Sequence, residues 1–188
     1  MDLEKIRNAA FLNFAGNKVS SHQNDSRDHV SYCVDLILGW LAEDIILTVI
    51  LLEGIPARLQ GSDSEREFLS QNELDTAPDI IIGKEGEERL LEIICDWTNH
   101  WEEQHKADLR DNKFVRLVKD NSLLLGVSPI SGTGFLMNVS DNHHEFEYNQ
   151  YIGAYNKSGY TTKEINNHLK SINEVLSDLY NIFNEKTT

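Results

Sequence analysis

The chain has 188 residues, with 17 Lys and Arg against 31 Asp and Glu, for a formal net charge of −14. That charge excludes broad nonspecific attraction to nucleic acid, while leaving room for a local basic face. A content of 40% hydrophobic and 26% charged residues reads as a soluble globular protein, one domain over residues 1–188 and long enough for a real core.

Cys33 and Cys95 are far apart and form no CxxC, so neither a disulfide framework nor a zinc ribbon is indicated, and both read as reduced, buried thiols. The opening Met-Asp-Leu-Glu-Lys lacks an export pattern, and a cytoplasmic location is expected. The long apolar stretch Val34–Ile55 carries Asp35, Glu43 and Asp44. Each acid costs about 2.5–3.5 kcal/mol at a bilayer centre, so a buried core helix is expected there and no membrane span.

In chain order, Leu3, Ile6, Ala10 and Phe11 form a short helical pattern, and a polar loop runs to Arg27. Asp28 can cap a long helix to about Glu53, ended by Gly54 and Pro56. Because this helix is nearly apolar all round after Glu43, burial on several sides is expected. A strand follows at about Pro56–Gln60, then a polar stretch with a short helix at Glu65–Gln71.

Next come two short apolar runs, Thr76-Ala-Pro-Asp79-Ile-Ile-Ile-Gly83 and Arg89-Leu-Leu-Glu92-Ile-Ile-Cys-Asp96-Trp97. Both have the composition of buried strands, and the brief polar link Lys84–Glu88 makes them antiparallel neighbours. Asp79 and Glu92 then open onto one cleft. Two carboxylates buried side by side raise a pKa or require a cation. Asp79 has a plainer reading as a turn cap after Pro78, and Glu43 or Asp44 could face solvent.

A helix is expected over Asp108–Lys119, and strands over Ser122–Val127 and Gly134–Val139. Residues 140–161 read as a polar segment dotted with aromatics. Its His143-His-Glu-Phe-Glu147 run would align His143, Glu145 and Glu147 on one face if extended, though solvated histidines are the plainer reading. Trp97-Thr-Asn-His100-Trp101 could touch DNA or pack as a rim. The last helix, Thr162 to about Glu185, shows a heptad seam of Ile165, Leu169, Ile172, Leu176, Leu179 and Phe183. Val175 and Ile182 widen it, favouring packing onto a sheet over a dimer coiled coil. The core is thus expected over about 28–139, with a helical extension over about 161–185.

The order helix, three strands, helix, strand, with Pro78-Asp79 opening the second strand and Glu92 on the third, resembles the PD-(D/E)xK nuclease superfamily over roughly residues 28–128. The resemblance implies an α/β fold, a restriction-endonuclease-like αβββαβ core with a mixed central sheet flanked by helices. It implies catalytic Asp79 and Glu92 holding Mg²⁺, with Mn²⁺ as a substitute, and Glu43 at the position of a helix acid that assists. Double-stranded DNA is the implied substrate and a homodimer the implied assembly.

The family's lysine falls two residues after the glutamate, where this chain has Ile94. Strand alternation puts Glu92, Ile94 and Asp96 on one face, so the row offers an extra metal-binding acid and no cation. Lys113 on the following helix is the candidate replacement, as in members whose lysine has moved there. Lys106, Arg110 and Lys113, spaced four and three apart, would share one helical face for DNA unless they are a solvated surface.

The rival reading is a catalytically inactive protein on the same fold, acting as an acidic protein-binding partner or inhibitor. A third is a hydrolase that uses the same carboxylates on a nucleotide.

Overall fold

A computed structural model describes residues 29–62, 64–66, 75, 77–152 and 157–184. The expected N-terminal pattern over 1–27 and most of the expected 65–71 helix lie outside the described residues. Helix α1 spans His29–Leu52 and stops where the sequence stops it. Gly54 takes a φ of 76°, the Ile55 N–H donates to the Ile50 carbonyl at 3.2 Å, and Pro56 prevents continuation.

Strands β1 (Ala57–Leu59), β2 (Ile80–Ile82) and β3 (Arg89–Cys95) follow. A one-turn helix α2 (His100–Gln104), strand β4 (Asp108–Arg110) and helix α3 (Asp111–Lys119) then lead to β5 (Leu123–Ser128) and β6 (Thr133–Asn138). Beyond a 3₁₀ turn at His143–Glu145 lie β7 (Phe146–Ile152), β8 (Lys157–Thr162), β9 (Lys170–Ser171) and helix α4 (Ile172–Asn184).

Among the described residues the main sheet has six strands in the order β1-β2-β3-β5-β6-β9. All its pairs are antiparallel except β3 with β5, where Glu92 lies opposite Leu124. The α3 crossover returns the chain for that parallel pair. The sheet is mixed and flanked by helices, with the helix, three strands, helix, strand order present and α2 and β4 inserted before α3.

Period-two alternation divides the interior into two clusters. Leu91, Ile93, Leu123 and Leu125 face α1 and α4, meeting Ile46, Ile50, Val175 and Leu179. Leu124, Phe135 and Met137 face the other way, toward Trp101, Phe114 and Leu117. The heptad residues of α4 are therefore core side chains, as packing onto a sheet requires.

Four expectations are corrected. Helix α1 is open along one side, with Val34 46%, Ile45 51% and Leu52 80% exposed, because it rests on one sheet face. The helix expected from Asp108 begins at Asp111, since residues 108–110 pair with β8. The helix expected from Thr162 begins at Ile172. Ile165 and Leu169 mimicked its seam but join the second cluster from a 3₁₀ turn and the loop after it. Residues 140–161, read as a polar segment, contain most of a second sheet in the order β4-β8-β7.

Candidate active site

Asp79 immediately precedes β2, where the Gln60 N–H donates to its backbone carbonyl at 2.8 Å. Ile80 pairs with Leu91, which sets Asp79 beside the middle of β3. There its Oδ2 accepts the Ile93 N–H at 2.7 Å. Asp79 is 8% exposed and Glu92 is 1% exposed. Burial, followed by the charge of Glu92, pushes the Asp79 carboxyl well above the usual carboxylate range. Lys113 opposes that rise, and Glu43 adds to it. The four side chains thus share one electrostatic field.

Glu92 projects from β3 toward α3, on the face opposite Ile93. Lys113, in the first turn of α3, extends its ammonium to Glu92 Oε1. Burial alone would lower the Lys113 pKa, but Glu92 and Asp79 outweigh it and the net shift is upward. Ile94, two residues after Glu92, is half-buried against the second cluster. The cation that the strand lacks is supplied to Glu92 from the helix.

Glu43, on α1, is 8% exposed, and its charge adds to the rise at Asp79. Its Oε2 accepts a bond from Arg66 Nη1 at 2.6 Å, and Asp44 Oδ1 accepts one from Nη2 at 2.6 Å. Arg66 was missed in the sequence because it lies in a polar stretch with no periodicity. Cys95 is half-buried and reduced, its thiol pushed up to about 12 by burial and by the charges of Glu43, Asp79 and Asp96.

The structure places the remaining candidates elsewhere. Asp96 ends β3 and organises the turn into α2, accepting the Thr98 N–H and hydroxyl at 2.9 Å through Oδ1 and the Trp101 N–H at 2.8 Å through Oδ2. Burial alone would raise its pKa, but these N–H and O–H donors hold it below the usual range. Lys106 precedes β4 and pairs with Glu147 at 3.3 Å. Arg110 ends β4, exposed, near enough to oppose the charge of Lys113. Lys106, Arg110 and Lys113 therefore do not form one helical face, because a strand intervenes. Trp101 is core, 5.2 Å from the Phe135 ring centroid. His143 and His144 sit exposed in a 3₁₀ turn, not on an extended segment.

Among the described residues no group of three Asp, Glu, His or Cys side chains is gathered closely enough to hold an ion by itself. Asp79 and Glu92 nevertheless offer hard oxygen donors, and Mg²⁺ commonly takes one or two carboxylates, completing its shell with water and substrate phosphate. The raised pKa of Asp79 beside Glu92 marks a field that favours added positive charge. The residues present fit such an ion.

No family model and no curated protein matches this chain. Among solved structures it is similar to Hjc from Archaeoglobus fulgidus, a Holliday junction resolvase from an archaeal hyperthermophile. The similarity has 14% identity and a TM-score of 0.44, covering 72% of this chain and 96% of that one. At that distance the likeness extends to neither the site nor the chemistry. Among the described residues no helix is long and apolar enough to cross a membrane.

Proposed function

We propose that the protein is a divalent-metal-dependent endonuclease that hydrolyses phosphodiester bonds in double-stranded DNA, with Mg²⁺ as the natural ion and Mn²⁺ as a substitute. The single observation that carries this reading is the convergence of Asp79, Glu92 and Lys113 beside the middle of β3. Asp79 and Glu92 would hold the ion, with Glu43 alongside. Bound there, the ion would supply an activated water and stabilise charge on the phosphate.

Lys113 does the work that Ile94 cannot. Its ammonium stays protonated across the physiological range, since its pKa is shifted upward from an already high value. It therefore orients and electrostatically stabilises, and it is not a resting general base. Arg110, whose charge is felt by Lys113, and Lys106, which pairs with Glu147, would meet the phosphate backbone.

The test is cleavage of plasmid DNA with Mg²⁺ or Mn²⁺, arrested by EDTA. Asp79→Asn and Glu92→Gln should each abolish cleavage and metal uptake. Lys113→Ala should lower turnover at least about a hundredfold, the scale of a lost charge-stabilising donor, while leaving Mn²⁺ binding nearly intact. Full turnover in Lys113→Ala would remove that residue from the mechanism. A protein that binds no Mn²⁺ and never cuts would favour the rival, an inactive acidic binding partner, which the net charge of −14 suits.

A further inference from the structure

Val34, Leu38, Leu41, Ile45, Thr48 and Leu52 follow one another along α1 at steps of four and three. Such spacing sets them in one row, turned away from Ile46 and Ile50, which pack into the core. Val34, Ile45, Thr48 and Leu52 are exposed, and Leu38 and Leu41 are half-buried. The row contains no charged residue, although Asp35, Glu43 and Asp44 lie elsewhere on the same helix. Scattered apolar side chains on a surface need no explanation, but a continuous row is a surface for contact.

The row is roughly 27 Å long and about 10 Å across, so it offers roughly 300 Å². Each side of a standard stable interface gives about 800 Å². A second copy would therefore be held weakly, and it would set acids against acids, since α1 has no Lys or Arg. A tethered segment needs less area, because a short link keeps it at about millimolar effective concentration. Residues 1–28 run directly into α1 and supply such a segment. Leu3, Ile6, Ala10 and Phe14 recur there at steps of three and four, a second apolar row. The segment holds four basic and four acidic residues, so it is neutral and the rest of the chain carries the whole −14. Residues 15–28 can span about 46 Å, enough to lead Phe14 back over the row on α1. We propose that the N-terminal segment, through Leu3, Ile6, Ala10 and Phe14, covers the outward row of α1 and closes it to other partners.

Amide hydrogen exchange of the full chain, read by mass spectrometry on peptides covering residues 3–14, tests this. In the wild type these amides should exchange at least about tenfold more slowly than in a free peptide of the same sequence. Ile45→Glu, which puts a charge in the middle of the row, should return them to the free-peptide rate while the amides of β3 and β5 stay protected. Should Ile45→Glu disturb β3 and β5, Thr48→Glu at an exposed position of the same row decides in the same way. Ile6→Glu, on the segment, should leave the sheet protected and raise binding of an apolar dye by uncovering α1. Free-peptide exchange of residues 3–14 in the wild type would overturn the proposal, as would protection that survives both α1 variants. Protection that fades on dilution, together with a dimer mass in sedimentation, would also overturn it and give the row to a second copy.

Discussion

Asp79 holds a proton more readily than an ordinary aspartate because burial and the neighbouring Glu92 both disfavour its charge. A carboxyl whose pKa is raised by folding stabilises the fold below its unfolded value, about 3.9. That contribution is lost as pH rises through the folded value. Asp79→Asn should therefore raise the melting temperature of the metal-free protein at neutral pH, and the gain should shrink toward pH 4. A lower melting temperature at neutral pH would contradict the carboxylate crowding. Asp96 behaves oppositely. Its pKa is depressed by the donors it accepts from, so its contribution is present above about pH 4 and fades as acid protonates it. Asp96→Ala should cost about 1–3 kcal/mol in urea melts near pH 7 by stranding buried N–H groups. The cost should narrow under acid.

At the level of elements, β5 and β6 are fastened by a glycine facing an aromatic ring. Gly126 pairs with Phe135, and a Cβ at 126 would overlap that ring. Gly126→Ala should cost about 1–3 kcal/mol through overpacking, and Phe135→Leu in the same chain should recover part of the loss. No recovery would show that the strain lies elsewhere. The strands carrying Asp79 and Glu92 could be read from the sequence because Ile80–Ile82 and Leu90–Cys95 are β-branched or apolar runs with clear turn residues between them. Lys113 could be singled out only through the resemblance, which implies a lysine that Ile94 does not supply and that some members carry on the following helix. The second sheet could not be read. Its strands are Tyr-, Thr- and Asn-rich, without clean alternation, and they are held in place by packing such as Tyr160 stacked on Phe114 at 3.8 Å. Ile165 and Leu169 kept the helical spacing of α4 while belonging to another cluster, so spacing alone extended that helix by ten residues. Arg66 gave no local signal, since its partners lie 23 and 22 residues earlier.

For the whole molecule, a net charge of −14 means that any affinity for DNA must come from few contacts. Arg110 is exposed and Lys106 half-free of its partner Glu147, at 45% side-chain exposure. If both meet phosphates, replacing each with Gln should lower the slope of log K against log salt by roughly one unit per contact. Anisotropy titrations in Ca²⁺ would read it, and an unchanged slope would leave both as ordinary surface residues. The outermost strands of the main sheet bear on how copies could meet. β1 has three residues and β9 has two. So little unpaired backbone gives an incoming strand almost nothing to zip onto. A homodimer of this protein would not assemble by extending the main sheet, so the ladder that carries Glu92 and flanks Asp79 would stay closed within each copy, independent of the neighbour's register.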